Sequence, residues 1–130
     1  MAVGASMGNW IDPSRERKTK TAYIGLSARH AQSMVQVTKY ILDKGLVPLH
    51  PALRSDTIGR QASAQEAEKN KDYFIRNCDE MWVFGPLSKP VFEDIKVVKR
   101  LAKPVRFFSL TEMGGIVEIS KEQVDTTDLQ

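Results

Sequence analysis

Apolar and polar positions along this chain switch repeatedly between two periods. Thr21-Ala-Tyr-Ile-Gly-Leu26 is a short apolar run bounded by polar residues, the pattern of a buried strand. From His30 to Lys44 the positions Ala31, Met34, Val35, Thr38, Ile41 and Leu42 recur at helical spacing, and Gly45 stands where a C-cap belongs. Leu46-Val-Pro-Leu-His50 resumes a strand and stops at Pro51. An irregular polar stretch from Ala52 to Ala62 follows, carrying Arg54, Asp56, Gly59 and Arg60. Ser63 and Glu66 have the spacing of a capping box, and they open a helix with Ala64, Ala67, Phe74, Ile75 and Cys78 on one side. Met81-Trp-Val-Phe84 is apolar throughout, as a parallel strand buried on both faces would be. After the turn Gly85–Pro90, a third helix is marked by Val91, Ile95, Val98 and Leu101. Pro90 is tolerated at its start because the N–H it lacks would have no helical partner. Lys103-Pro104 ends that helix, Val105–Phe108 forms a fourth strand, and Gly114 to Ile119 adds an edge strand.

Alternation of strand and helix predicts an α/β fold: a single-domain, three-layer sandwich, Rossmann-like, with a four- to five-stranded, mainly parallel sheet in an order near 2-1-3-4. The domain is expected over residues 21–119, between a flexible basic arm at 1–20 and a frayed tail at 120–130. With 42% hydrophobic and 27% charged residues, the composition excludes a wholly disordered or collagen-like chain. No apolar run nears the roughly 18 residues of a membrane span, and no secretory signal is visible. Cys78 is the lone cysteine and forms no internal disulfide, so a cytoplasmic protein with no membrane partner is expected. The net charge of +3 comes from Arg15, Arg17, Lys18 and Lys20 less Glu16, so it makes no case for nucleic acid.

Ligands of open α/β sheets bind beyond the C-terminal ends of the strands, which here means Gly25–His30, His50–Arg60 and Phe84–Asp94. In the first segment, Ser27 at a helix start would offer its hydroxyl and nearby backbone N–H groups to an anion, and Arg29 could add a bidentate phosphate contact. Ser27 as a plain N-cap and Arg29 as a surface charge are the competing reading. His30 opens the helix and His50 ends the second strand. In the third segment Gly85 leads to Ser88, a second N-cap hydroxyl. Glu93 and Asp94 follow in the first helical turn, where the dipole favours negative charge or one carboxylate points into the cleft as nucleophile or base. Tyr23 lies beside that cleft or in the core, and Cys78 belongs to the core. Two histidines and one cysteine offer no metal-ligand spacing, so neither metal nor cofactor is expected.

Together these residues resemble the nucleoside 2-deoxyribosyltransferase-like superfamily, over Ala22 to Phe108, about two-thirds of the chain. The chain is also similar to short phage and bacterial relatives of that group, through Cys78-Asp-Glu-Met-Trp-Val-Phe-Gly85 and Lys103-Pro-Val-Arg-Phe-Phe108. The resemblance implies an active-site tyrosine at Tyr23. Ser27-Ala28-Arg29 matches the Ser-x-Arg that helps hold phosphate in the branch hydrolysing 2′-deoxynucleoside 5′-monophosphates. Against the family's Ser-x-Gly-x-x-x-Glu loop, Ser88 matches the serine, Pro90 stands at the glycine and Asp94 at the attacking glutamate. Asp is one methylene shorter, and a misplacement of about 1 Å can cost on the order of 100-fold in rate. Glu93 could substitute, but it lies about 100° around the helix from Asp94. An assisting acid of the preceding helix has its nearest equivalent in Asp72, displaced by one residue.

The resemblance implies either an enzyme cleaving or transferring at the N-glycosidic bond of a nucleoside 5′-phosphate, or a nucleotide-binding protein that has lost the chemistry. The second could be a phage sponge or sensor for a cyclic ADP-ribose-type nucleotide. Either implies a small-molecule nucleotide or nucleoside partner and a homo-oligomer. An interaction protein working through its basic arm is a third possibility.

Overall fold

The structure, a computed structural model, describes residues 19–53 and 64–129, with the backbone alone at 64–68. The basic run Arg15–Lys18, the segment carrying Arg54, Asp56, Gly59 and Arg60, and the Ser63 cap all lie outside the described residues. Five strands form one sheet: β1 (Thr21–Leu26), β2 (Val47–Leu49), β3 (Glu80–Phe84), β4 (Val105–Leu110) and β5 (Ile116–Ile119). Three helices intervene: α1 (Met34–Asp43), α2 (Ala64–Asn77) and α3 (Lys89–Arg100). The strand order is β2-β1-β3-β4-β5, with every pairing parallel except β4 with β5. This is the α/β sandwich that the alternating pattern predicts.

Each face of the sheet buries one apolar set. Ile75 of α2 and Val91, Ile95 and Val98 of α3 pack on Tyr23, Met81, Val83 and Phe107. On the other face Val37 and Ile41 of α1 pack on Ala22, Ile24, Trp82, Phe84 and Phe108. Among the described residues only α1 covers that second face, and over its β4 side the cover is a charged side chain. The Arg106 guanidinium lies 4.6 Å from the Trp82 ring centroid and 5.6 Å from that of Phe108. It donates to both carboxylate oxygens of Glu118, at 2.8 and 2.6 Å. The Trp82 indole N–H donates to buried Glu80 at 2.5 Å, whose carboxylate stands 3.7 Å from Arg106.

Two departures from the sequence pattern have local causes. The segment after β1 is a 3₁₀ helix, Ala28–Ser33, kinked at His30, and α1 starts only at Met34. A 3₁₀ turn takes three residues instead of 3.6, so a stripe counted from Ala31 slips in phase. Within α1 itself Ile41 is buried as the spacing predicts, but Val37 joins it on the inward face, while Val35 and Leu42 are 79% and 55% exposed. The end of the chain, read from the sequence as a frayed tail from residue 120, makes defined contacts. Val124 and Leu129 pack against the α3-side core, and the Leu87 N–H donates to the Asp125 carbonyl at 3.0 Å. Among the described residues no helix is long and apolar enough to cross a membrane.

Candidate functional site

A cleft of about 480 Å³ opens at the C-terminal end of β1, walled by the ends of β1 and β2, by α2 and by the first turn of α3. Gly25 lets these walls approach. A Cβ there would stand 3.2 Å from both Val83 Cγ2 and Val91 Cγ1 and 2.7 Å from Met81 Cε. Tyr23 is buried on the cleft wall, its ring stacked on that of His50 with centroids 6.1 Å apart and planes at 19°. His50 Nδ1 accepts a hydrogen bond from the Ala52 N–H at 3.0 Å. Burial pushes the imidazole pKa down to about 4, so the ring is neutral at pH 7 and carries its proton on Nε2.

Ser27 and Ser88 both line the cleft, in different ways. Ser88 is the N-cap of α3, its hydroxyl accepting from the Val91 N–H at 3.4 Å. Ser27 makes no capping bond, and its buried hydroxyl has no hydrogen-bond partner among the described residues. The expected helix N-terminus behind Ser27 is absent, because only the short 3₁₀ segment follows it.

Asp94 lines the cleft at 8% exposure, with Lys71 Nζ 3.4 Å from its Oδ1. Lys71 is the site residue that motif reasoning passes over. Its signal is positional: Lys71, Ile75 and Cys78 follow the i, i+4, i+7 stripe that α2 turns toward the sheet. Asp72 lies off that stripe, is exposed, and pairs with Arg76 at 2.8 Å.

Four sequence-predicted residues stand elsewhere. Glu93 is on the outer side of α3, paired with Lys96 at 2.9 Å, as its 100° offset from Asp94 dictates. Arg29 turns away from the cleft to Asp128, 3.2 Å distant, on the returning end of the chain. Gly85 shapes the turn after β3 at φ +77°, and its N–H is used by the Phe108 carbonyl. His30 lines a separate hollow beside the β4–β5 hairpin, its Nε2 buried with no partner among the described residues.

The cleft thus gathers Tyr23, Gly25, Ser27, His50, Lys71, Ser88 and Asp94. This arrangement supplies an aromatic wall, two serine hydroxyls, one ammonium and one carboxylate. No group of three potential metal ligands occurs among the described residues. No family model and no curated protein matches the chain.

Proposed function

We propose that the cleft binds a nucleoside phosphate and acts at its N-glycosidic bond, with Asp94 as the attacking carboxylate. The observation that carries this reading is the enclosed Asp94 carboxylate beside Lys71 and Tyr23, at the sheet edge where open α/β folds hold ligands. The cleft volume of about 480 Å³ falls within the range of small-molecule sites. The Ser27 and Ser88 hydroxyls can donate to phosphate oxygens. With Arg29 held by Asp128, the positive charge for a phosphate falls, among the described residues, to Lys71. The Tyr23–His50 pair offers an apolar wall to sugar or base.

In this reading an Asp94 oxygen forms a bond to C1′ while the C1′–N bond breaks. The base leaves with the electron pair and takes a proton from water. A second water then attacks C1′, loses a proton, and releases the sugar phosphate and the Asp94 carboxylate.

A second reading, binding without turnover, has its own observation. Lys71 stands against the would-be nucleophile, and the neighbouring acid Asp72 faces solvent. One experiment separates the two. Stoichiometric protein is incubated with ribo- and deoxynucleoside 5′-monophosphates and cyclic ADP-ribose-type nucleotides, and filtrate and denatured retentate are both assayed. Free base from one substrate, lost in Asp94→Ala, supports the enzyme. A nucleotide retained and recovered intact, by wild type and Asp94→Ala alike, supports the binder, and the absence of both results sinks both readings. We also propose a homo-oligomer, with exposed Val35 and Leu42 of α1 beside Met34 of the cleft wall as its contact. A monomer mass in sedimentation equilibrium would exclude it.

A further inference from the structure

We infer a second binding site, on the other flank of α3 from the cleft, for a small organic anion: an apolar body carrying one carboxylate-like head. Val91 and Asp94 of α3 turn toward the cleft, whereas Phe92, Ile95 and Lys99 turn toward a separate pocket of about 360 Å³. The returning end of the chain closes that pocket. Leu87, Phe107, Val124 and Leu129 complete an apolar interior, fixed by the hydrogen bond from the Leu87 N–H to the Asp125 carbonyl. The interior accepts hydrocarbon and offers little to a sugar or a base.

Three ammonium groups stand around this apolar interior: Lys96, Lys99 and Lys121. Lys96 is already answered by Glu93 at 2.9 Å and lies 5.1 Å over the Phe92 ring centroid. Lys99 and Lys121 have no acidic partner among the described residues, and both line the same pocket. Desolvation, and then the facing Lys121 charge, lower the Lys99 pKa. Two like charges held together at the mouth of an apolar pocket repel each other, and an anion between them reverses the sign of that interaction. Shape and charge therefore ask for the same molecule, one with hydrocarbon inward and a negative head outward.

The site shares α3 with the cleft but none of the residues assigned to nucleotide binding, so it stands or falls independently of the function proposed above. The test is a titration of ¹⁵N-labelled full-length protein with decanoate, with 2-naphthoate and with decylamine, at pH 7 and below micelle formation. Either acid should produce saturable one-to-one shifts at Leu87, Val124 and Leu129, and the two acids distinguish a chain from an aromatic body. Lys99→Gln/Lys121→Gln should weaken acid binding about tenfold, as two partly exposed ion pairs would. Asp94→Ala should leave it unchanged. Absence of saturable binding by both acids, equal binding by decylamine, shifts confined to the Tyr23–Asp94 cleft, or an unaltered affinity in the double variant would overturn the inference. Both lysines are exposed, so their replacement leaves the fold in place.

Discussion

Acidification should destabilise this fold through His50, and the size of the effect can be worked out. The half-buried imidazole stacks on Tyr23, and its desolvation lowers its pKa from the usual 6.5 to about 4. Because the folded value is the lower one, the unfolded chain binds the extra proton. The stability contributed by neutral His50 is complete above pH 6.5 and is lost as the pH falls through 6.5 toward 4. The slope approaches 1.36 kcal/mol per pH unit inside that window, which gives about 2 kcal/mol lost at pH 5 and about 3 kcal/mol below pH 4. Protonation at Nδ1 would also remove the acceptor of the Ala52 N–H. Urea denaturation at pH 7.5 and 5.0 should be compared between wild type and His50→Gln, which keeps an acceptor but cannot titrate. The wild type should lose about 2 kcal/mol more than the variant over that interval. An equal loss in both proteins, or a His50 NMR titration midpoint at or above pH 6, would refute the reasoning.

Three other perturbations have defined outcomes. Gly25→Ala should cost about 1–3 kcal/mol, because Val83 and Val91 are β-branched and yield little to a new methyl group. Calorimetry should show a melting temperature lower by roughly 4 °C or more. Arg106→Ala removes a bidentate carboxylate contact and a cation over two rings, so it should cost about 1–2 kcal/mol in urea unfolding. Glu118→Ala should cost less, since the cation over the rings remains. Cys78 is buried and donates to the Ile75 carbonyl at 3.2 Å, with burial raising its thiol pKa. A thiol reagent at pH 8 should therefore modify it only as fast as the protein unfolds, and rapid labelling of the native state would contradict this placement.

Much of the architecture is legible in the sequence because three of the strands are nearly continuous apolar runs. A run such as Met81–Phe84 has few ways to be buried other than between two layers. Asp94, Ser88 and Tyr23 are found in the cleft for a related reason, since strand ends and first helical turns can be located from pattern alone. What pattern does not carry is phase and distance. Pattern places Ile41 inward but misses Val37, and it carries the helix back to Ala31 although Ala28–Ser33 is 3₁₀, since no spacing rule anticipates where a chain leaves 3₁₀ geometry. Arg29 and Asp128 meet from nearly opposite ends of the chain, and Val124 and Leu129 are lone apolar residues in a polar segment. Such contacts exist only once the sheet has assembled. Lys71 is an intermediate case: its stripe is visible in α2, but its charge argues against a buried face until Asp94 is set opposite.

The arrangement on the α1 face has an optical consequence. Trp82 is 1% exposed, on the face opposite Tyr23, α2 and α3, with its indole bonded to Glu80 and roofed by Arg106. Its fluorescence therefore monitors the integrity of the sheet and is screened from the pocket beside Lys99, whose apolar lining belongs to the opposite face. The chain's other indole, Trp10, would overlap that signal. In a Trp10→Phe background, emission from Trp82 would give a single-site readout of unfolding that a ligand bound beside Lys99 leaves almost unchanged. Stability and occupancy could then be followed by separate channels in the same cuvette.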